Sequence, residues 1–274
     1  MTRAILIMIV AMSLIPAGDT AGKLLSSELG VSPAFVAWSR FLLGLLMILP
    51  FLPRGTFGLF RDWRIWLRGA TVACGITSIQ FALQREDIAT VFAAFFIGPL
   101  FSYLLAVIFL AERVTRLRSA LILLGFIGVV IVVRPGPQVS VGTLFAVLAG
   151  LCYGAFLTQS RWLSGLGAPL SLTFTQLAVG TLMLAPFGLA SLPAPDAPLA
   201  GLVLASALFS MLGNLLLVYA YRLAPATRLA PLVYLQLIAA VGFGWWVFGD
   251  LPDAPTWAGL AVIIAAGVAS ARLR

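Results

Sequence analysis

The sequence predicts an all-α membrane protein of ten transmembrane helices, arranged as two inverted five-helix repeats with both termini on the cytoplasmic side of the inner membrane. Three observations carry this expectation. They are an extreme apolar composition, an uneven distribution of cations between alternate loops, and a weak internal repeat at an offset of five apolar stretches.

Of the 274 residues, 62% are hydrophobic and 9% are charged, against about half and about a quarter in a soluble globular domain. No water-soluble fold could cover so much apolar side chain. At about 20 apolar residues per crossing, the length holds roughly ten helices with short loops and no sizeable soluble domain.

Ten apolar stretches are separated by turn or charge signals, at 4–24, 33–53, 65–84, 88–111, 117–134, 141–162, 169–190, 199–221, 229–249 and 255–271. In lipid each must be helical, because a lone strand would leave its backbone polar groups without partners. The alternating segments of a barrel are absent. The first stretch follows Arg3, and Ala17-Gly18 resembles a signal-peptide cleavage region. It is read as a retained helix, because the internal repeat needs it.

The net charge is +8 and there is no histidine. A basic balance fits nucleic acid, anionic lipid or membrane topology. Here the cations occupy short gaps between apolar stretches, which points to topology and away from a nucleic-acid partner. With the N-terminus inside, the inner side receives Arg3, Arg54, Arg61, Arg64, Arg68, Arg113, Arg116, Arg118, Arg161, Arg222, Arg228, Arg272 and Arg274. The outer side receives Lys23, Arg85 and Arg134, and Arg40 stays within the second stretch. Thirteen cations against three is the positive-inside pattern. The outer loops hold Glu28, Glu86, Asp87, Asp196, Asp250 and Asp253 instead. Cys74 and Cys152 fall within apolar stretches, so buried, inert thiols are expected rather than a disulfide or zinc site.

The repeat sets Pro33, Gly44, Leu46, Met47, Pro50 and Phe51 over Pro169, Gly180, Leu182, Met183, Pro186 and Phe187, each pair 136 positions apart. An offset of 138 sets Ala111-Glu112 over Gly249-Asp250. The expected halves are residues 1–137 and 138–274. Five crossings per half is odd, so the second copy is upside down. Inverted repeats with a site between them are the architecture of many carriers; a non-transporting membrane scaffold or sensor is the alternative, and an intramembrane lipid-modifying enzyme a distant third.

Residues 101–133, FSYLLAVIFLAERVTRLRSALILLGFIGVVIVV, resemble the drug/metabolite transporter superfamily in its ten-helix EamA-type branch. The likeness lies in an apolar helix, a Gly-Glu end, a short basic loop and a Gly-spaced following helix. Ala111 stands where that family usually has Gly, and Gly249-Asp250 stands where it usually has Gly-Glu. The segment GDTAGKLL with Trp38-Ser39-Arg40 is similar to a subgroup with permeases for S-adenosylmethionine-like and riboflavin-like metabolites. Better known EamA-type proteins export amino acids. The resemblance implies transport of a small polar or zwitterionic metabolite by alternating access, without fixing its direction.

Asp19 and Lys23 are four apart, in the order that favours pairing on one helical face. Arg40 lies about seven residues, or roughly 10 Å, inside the second helix, and Asp19 lies at a similar depth. At that depth Asp19 and Arg40 must pair or face a water-filled cavity. The cluster either orients substrate or couples it to a proton through Asp19, or it is an ion pair locking two helices together. At offset 136 these positions become Ala155, Gln159 and Gln176, so the charges belong to one half only.

Other candidate substrate-binding groups at membrane depth are Gln80, Tyr103, Tyr153, Gln159, Gln176, Asn214 and Gln236, which either bridge helices or meet substrate. Trp38, Phe95, Phe96, Trp245 and Trp246 are candidates for stacking or for the lipid-facing belt. Pro16 and Gly98-Pro99 are expected to interrupt the first and fourth helices, and broken helices mark carrier sites. Gly150-x-x-x-Gly154 and Gly125-x-x-Gly128 are expected to permit close helix contact, and Glu112-Arg113 to cap a helix end. No Walker motif, metal-ligand cluster or Ser-centred nucleophile is present, so neither enzyme activity, metal nor cofactor is expected. The expected partners are the small-molecule substrate and the lipid bilayer, with a functional monomer as the default and a dimer as the alternative.

Overall fold

The computed structural model describes residues 2–112, 115–133, 140–194 and 197–272. Arg113, Arg134, Asp196 and Arg274, used in the charge pattern, lie outside the described residues. Among the described residues all regular structure is helical.

The first apolar stretch forms α1 (Thr2–Lys23), continued by a π turn over Leu24–Glu28, and the second forms α2 (Pro33–Ile48). Then come α3 (Trp63–Leu83), α4 (Ile88–Phe95), α5 (Ile97–Leu110) and α6 (Arg116–Val133). The remainder is α7 (Val141–Trp162), α8 (Pro169–Ala190), α9 (Ala197–Leu223), the single turn α10 (Ala226–Leu229), α11 (Leu235–Phe243) and α12 (Ala254–Arg272). Among the described residues, six helical runs are long and apolar enough to cross a bilayer, and three shorter apolar helices accompany them.

Local chemistry explains the helix ends. Pro33 and Pro169 open α2 and α8 at the first turn, where no N–H partner is needed. Asp62 caps α3 by accepting from the Arg64 backbone N at 2.9 Å, and Ser140 caps α7 by accepting from Thr143 N at 3.0 Å. Hydrogen bonds from Arg64 hold the Asp62 carboxyl below the usual carboxylate range. Ala111 ends α5 at φ 50°, and Gly249 ends the π turn after α11 at φ 73°.

Packing runs in long pairs. α1 lies along α9, α3 along α7, α2 along α8, and α6 along α12, while α4 and α5 rest on α7 and α11 rests on α1. The outside carries large apolar side chains, Phe109 and Trp246 being 74% and 79% exposed. Such a surface suits hydrocarbon.

Two helices are broken. The fourth stretch divides at Phe96, between α4 and α5, and Gly98 and Pro99 sit in the first turn of α5 instead of at the gap. The ninth divides at a 3₁₀ turn over Ala230–Tyr234, which contains Pro231. Phe96 and Tyr234 pack against each other, ring centroids 5.4 Å apart and planes tilted by 40°.

Three expectations are corrected. Pro16 does not break α1, which runs unbroken from Thr2 to Lys23, because a single missing N–H is absorbed within an otherwise bonded and packed helix. Cys74 is exposed on α3 and Cys152 half-buried on α7, both as free thiols, so they are not core thiols. Arg68 is no loop cation: it is 1% exposed within α3.

The glycine motifs do permit close approach. A Cβ on Gly150 would collide with the carbonyl oxygen of Phe95, and one on Gly154 with that of Gly98. The α7 backbone therefore lies directly on the α4–α5 break. A Cβ on Gly128 would sit 2.8 Å from the carbonyl oxygen of Gly259, which seats α6 on α12.

Candidate functional site

Four helices converge on Arg40. Its Nη1 donates to Asp19 Oδ1 at 2.6 Å, its Nη2 to the carbonyl of Gly18 at 2.5 Å, and its Nε to Ser206 Oγ at 2.7 Å. Ser206 in turn donates to the Gly18 carbonyl at 3.0 Å. The Gln80 amide completes the group; turned so that its oxygen faces Arg40, it accepts from Nη2 and Nη1 at 3.1 and 3.2 Å. Gly22 makes the space, since a Cβ there would lie 2.5 Å from Arg40 Nη2. Asp19 and Arg40 are each 3% exposed, so the pair clasps α1, α2, α3 and α9 together away from water.

Below this clasp lies a cavity of about 40 Å³, room for one or two waters. Asp19, Arg40, Tyr153, Ser210, Asn214 and Gln236 supply its polar wall, and Ile15, Val72, Ile76, Ile79 and Phe95 its apolar wall. Asn214 Nδ2 donates back to the Ser210 carbonyl at 2.8 Å. The Tyr153 hydroxyl and both amide atoms of Gln236 are buried without a partner. Tyr153 packs against Phe95 with ring centroids 4.8 Å apart.

On the far side of the cavity along α3 lies a second arginine. Arg68 Nη1 donates to the carbonyl of Leu172 on α8 at 2.9 Å, while Nε and Nη2 lie 3.4 Å from Ser160 Oγ on α7. Its guanidinium rests 4.8 Å from the Phe156 ring. Arg68 and Gln80 are separated by roughly 18 Å at the α-helical rise, and the cavity-lining Val72, Gly75, Ile76 and Ile79 occupy the interval. Sequence reasoning missed Arg68, Ser206 and Ser210. The signal for Arg68 was its position inside the third apolar stretch, a place no loop cation occupies.

The remaining expected residues are dispersed. Lys23 does not pair with Asp19; it donates to the carbonyl of Glu86 at 2.8 Å and lies 5.1 Å from the Phe248 ring centroid. Tyr103 hydrogen-bonds Ser119 Oγ at 2.7 Å. Gln159 Nε2 donates to Thr71 Oγ1 at 3.2 Å, and Gln176 is buried on α8 with Oε1 unpartnered. Of the aromatic candidates, Phe95 lines the cavity, Trp38 is packed against Gly188, and Trp245 and Trp246 face outward. Glu112 accepts from the Ala226 backbone N at 3.2 Å and lies 3.7 Å from Arg161 Nε, tying the end of α5 to α10 and α7. Among the described residues no cluster of three metal-binding side chains occurs.

The chain matches the model of the EamA-like transporter family twice, over residues 2–134 and 140–271. It is similar to the riboflavin transporter of Brucella anthropi, 28% identical over 271 residues, with 95% of each chain covered. It is also similar to the S-adenosylmethionine uptake transporter of Rickettsia bellii, 27% identical over 260 residues, covering 91% of this chain and 87% of the other. The pseudopaline exporter CntI of Pseudomonas aeruginosa is 29% identical over 250 residues, with 88% and 87% covered. A crystal structure superposes with a TM-score of 0.74 over 99% of this chain and 96% of its own at 18% identity, which establishes the shared fold. A bundle with an apolar exterior, broken helices and a small polar cavity at its centre thus coincides with whole-chain likeness to proteins named as transporters. The chain belongs to the EamA-like transporter family of the drug/metabolite transporter superfamily, whose members are multi-pass membrane transporters and not enzymes.

Proposed function

We propose that the protein is a secondary carrier that moves a small polar or zwitterionic metabolite across the bacterial inner membrane by alternating access. It crosses ten times as two inverted five-helix halves, residues 1–137 and 138–274, with both termini cytoplasmic and one chain forming the complete carrier. The relatives include named importers and an exporter, so the direction is left to the driving gradient.

The observation that carries this reading is the cavity lying between two arginine clasps. Arg40 closes one end by joining α2 to α1 and α9. Arg68 closes the other by joining α3 to α7 and α8. Exchange the halves and these are the same three-helix corner: α1 answers to α7, α2 to α8 and α9 to α3. Ser206, which meets Arg40, lies 138 positions after Arg68. The pairing of α1 with α9 answers likewise to that of α7 with α3, and the contact of α11 with α1 to that of α5 with α7. Phe96 and Tyr234, which pack together at the two helix breaks, are also 138 positions apart.

A cavity of about 40 Å³ cannot admit a metabolite until one clasp opens. Alternating access supplies that step: releasing Arg68 from α7 and α8 opens the inner side, and releasing Arg40 from α1 and α9 opens the outer. The positive-inside pattern supports this orientation.

Uptake and counterflow in proteoliposomes test the proposal, with riboflavin, S-adenosylmethionine, nucleosides and amino acids as solutes. Protein-dependent flux of at least one solute is expected, and its absence for every solute in both directions would overturn the carrier reading.

A further inference from the structure

We infer that the transported solute is recognised through a neutral, planar edge that carries a hydrogen-bond donor beside an acceptor, such as a lactam, cyclic imide or carboxamide, and that Gln236 reads that edge. The inference rests on the carrier reading and specifies the chemistry of its cavity. Three observations lead to it.

First, the charges in the cavity wall are already engaged. Arg40 has Asp19 Oδ1, the Gly18 carbonyl and Ser206 Oγ on three of its nitrogens at 2.5–2.7 Å. With the Gln80 oxygen also accepting, the guanidinium is fully engaged while the clasp is closed, which leaves recognition in that state to the neutral groups of the wall. Second, Gln236 on α11 is 0% exposed and lines the cavity, yet neither amide atom has a partner. A carboxamide offers an N–H donor beside a C=O acceptor in one plane. Its natural complement is the same pair reversed, which gives two parallel hydrogen bonds. A polar pair buried without a partner is otherwise strongly disfavoured. Third, the Tyr153 hydroxyl is likewise buried, unpartnered and in the same wall, while the Tyr153 and Phe95 rings form an aromatic flank with centroids 4.8 Å apart. Such a flank suits the face of a flat ring. Donor, acceptor, hydroxyl and aromatic face are the complement of a heteroaromatic solute.

Matched pairs test the edge directly. Thermal stabilisation of the purified protein would be titrated with riboflavin against 3-methylriboflavin, and with nicotinamide against N,N-dimethylnicotinamide. S-adenosylmethionine serves as a charged comparator. At least one parent compound is expected to raise the Tm, with its methylated partner needing about 10-fold more or beyond. Gln236→Leu is expected to bring the parent down to the level of the methylated compound, and Tyr153→Phe to weaken both members of a pair equally. If Gln236→Leu does not fold, Gln236→Glu keeps the shape, exchanges the donor for an acceptor, and is read in the same way. Equal binding within both pairs, a preference that survives Gln236→Leu, or stabilisation by none of the parents would each overturn the inference. Transport separates the two claims. Flux of a solute lacking such an edge, unaffected by Gln236→Leu, refutes this inference and leaves the carrier standing. An intact pair preference without flux of any solute refutes the carrier alone.

Discussion

Ala111 and Gly249, 138 positions apart, end their helices in the same left-handed conformation, at φ 50° and φ 73°. Ala111 is the one non-glycine residue with positive φ among the described residues. A Cβ in this region costs roughly 1–2 kcal/mol, offset in part by the greater freedom of glycine in the unfolded chain. Ala111→Gly is therefore expected to stabilise the protein by about 0.5–1 kcal/mol, and Gly249→Ala to destabilise it by about 1 kcal/mol or more. Unfolding in mild detergent with graded SDS would measure both. A loss of stability in Ala111→Gly would contradict the account.

The two arginine clasps should respond differently when one charged side chain is removed. Asp19→Ala strips the buried Arg40 of its carboxylate and leaves only neutral acceptors, so a loss of about 3–5 kcal/mol is expected. Arg68 has no such debt. If it is replaced by Met, the Leu172 carbonyl still accepts from Thr175 Oγ1 at 2.9 Å, and Ser160 Oγ still donates to the Phe156 carbonyl at 2.7 Å. Arg68→Met is expected to change stability by no more than about 1 kcal/mol while altering flux. Equal destabilisation by the two variants, in the same unfolding assay, would refute the distinction.

How much of this was legible beforehand follows from what each signal depends on. The helices could be read because apolar runs in lipid have one structural solution. The Asp19–Arg40 pair was legible as one of two alternatives, since charges at matching depth on adjacent helices must meet something. The assignment of Lys23 to Asp19 failed because helical spacing only permits a pair, and the Glu86 carbonyl was nearer. Pro99 drew attention to the fourth stretch, yet the break falls at Phe96, because a proline fits the first turn of a helix without disrupting it. The ninth-stretch break carried the same cue in Pro231 and was passed over. Gln80, Asn214 and Gln236 looked alike in sequence. Only packing separates the one that joins Arg40 from the one that is bonded to Ser210 and the one left without a partner.

Glycine tolerance should track backbone proximity. Gly150 lies where an added Cβ would strike the Phe95 carbonyl oxygen, a backbone atom that cannot rotate away. Gly150→Ala must push α7 off the α4–α5 break, at a cost of about 1–3 kcal/mol. Gly201 on α9 has no atom within 4 Å of the same position, so Gly201→Ala is expected to gain about 0.5–1 kcal/mol through helix propensity alone. Thermal unfolding of the pair gives opposite signs if the backbone contact governs, and the same sign if it does not.

Gln236 should show stability and function pulling apart. Its amide is fully buried with neither atom bonded, and a buried polar group without a partner costs roughly 1–3 kcal/mol. Leucine has nearly the same bulk and equal standing in a helix, so Gln236→Leu removes that penalty without opening a void. We expect the unliganded protein to gain about 1–2 kcal/mol and transport of its solute to be lost. Asn214→Leu is the control: Asn214 Nδ2 already bonds the Ser210 carbonyl one turn back, so its removal relieves less and the stability gain should be smaller. Should Gln236→Leu instead lower the melting temperature while leaving transport intact, the amide would be part of the scaffold, and the wall formed by Tyr153 and Phe95 would have to account for recognition on its own.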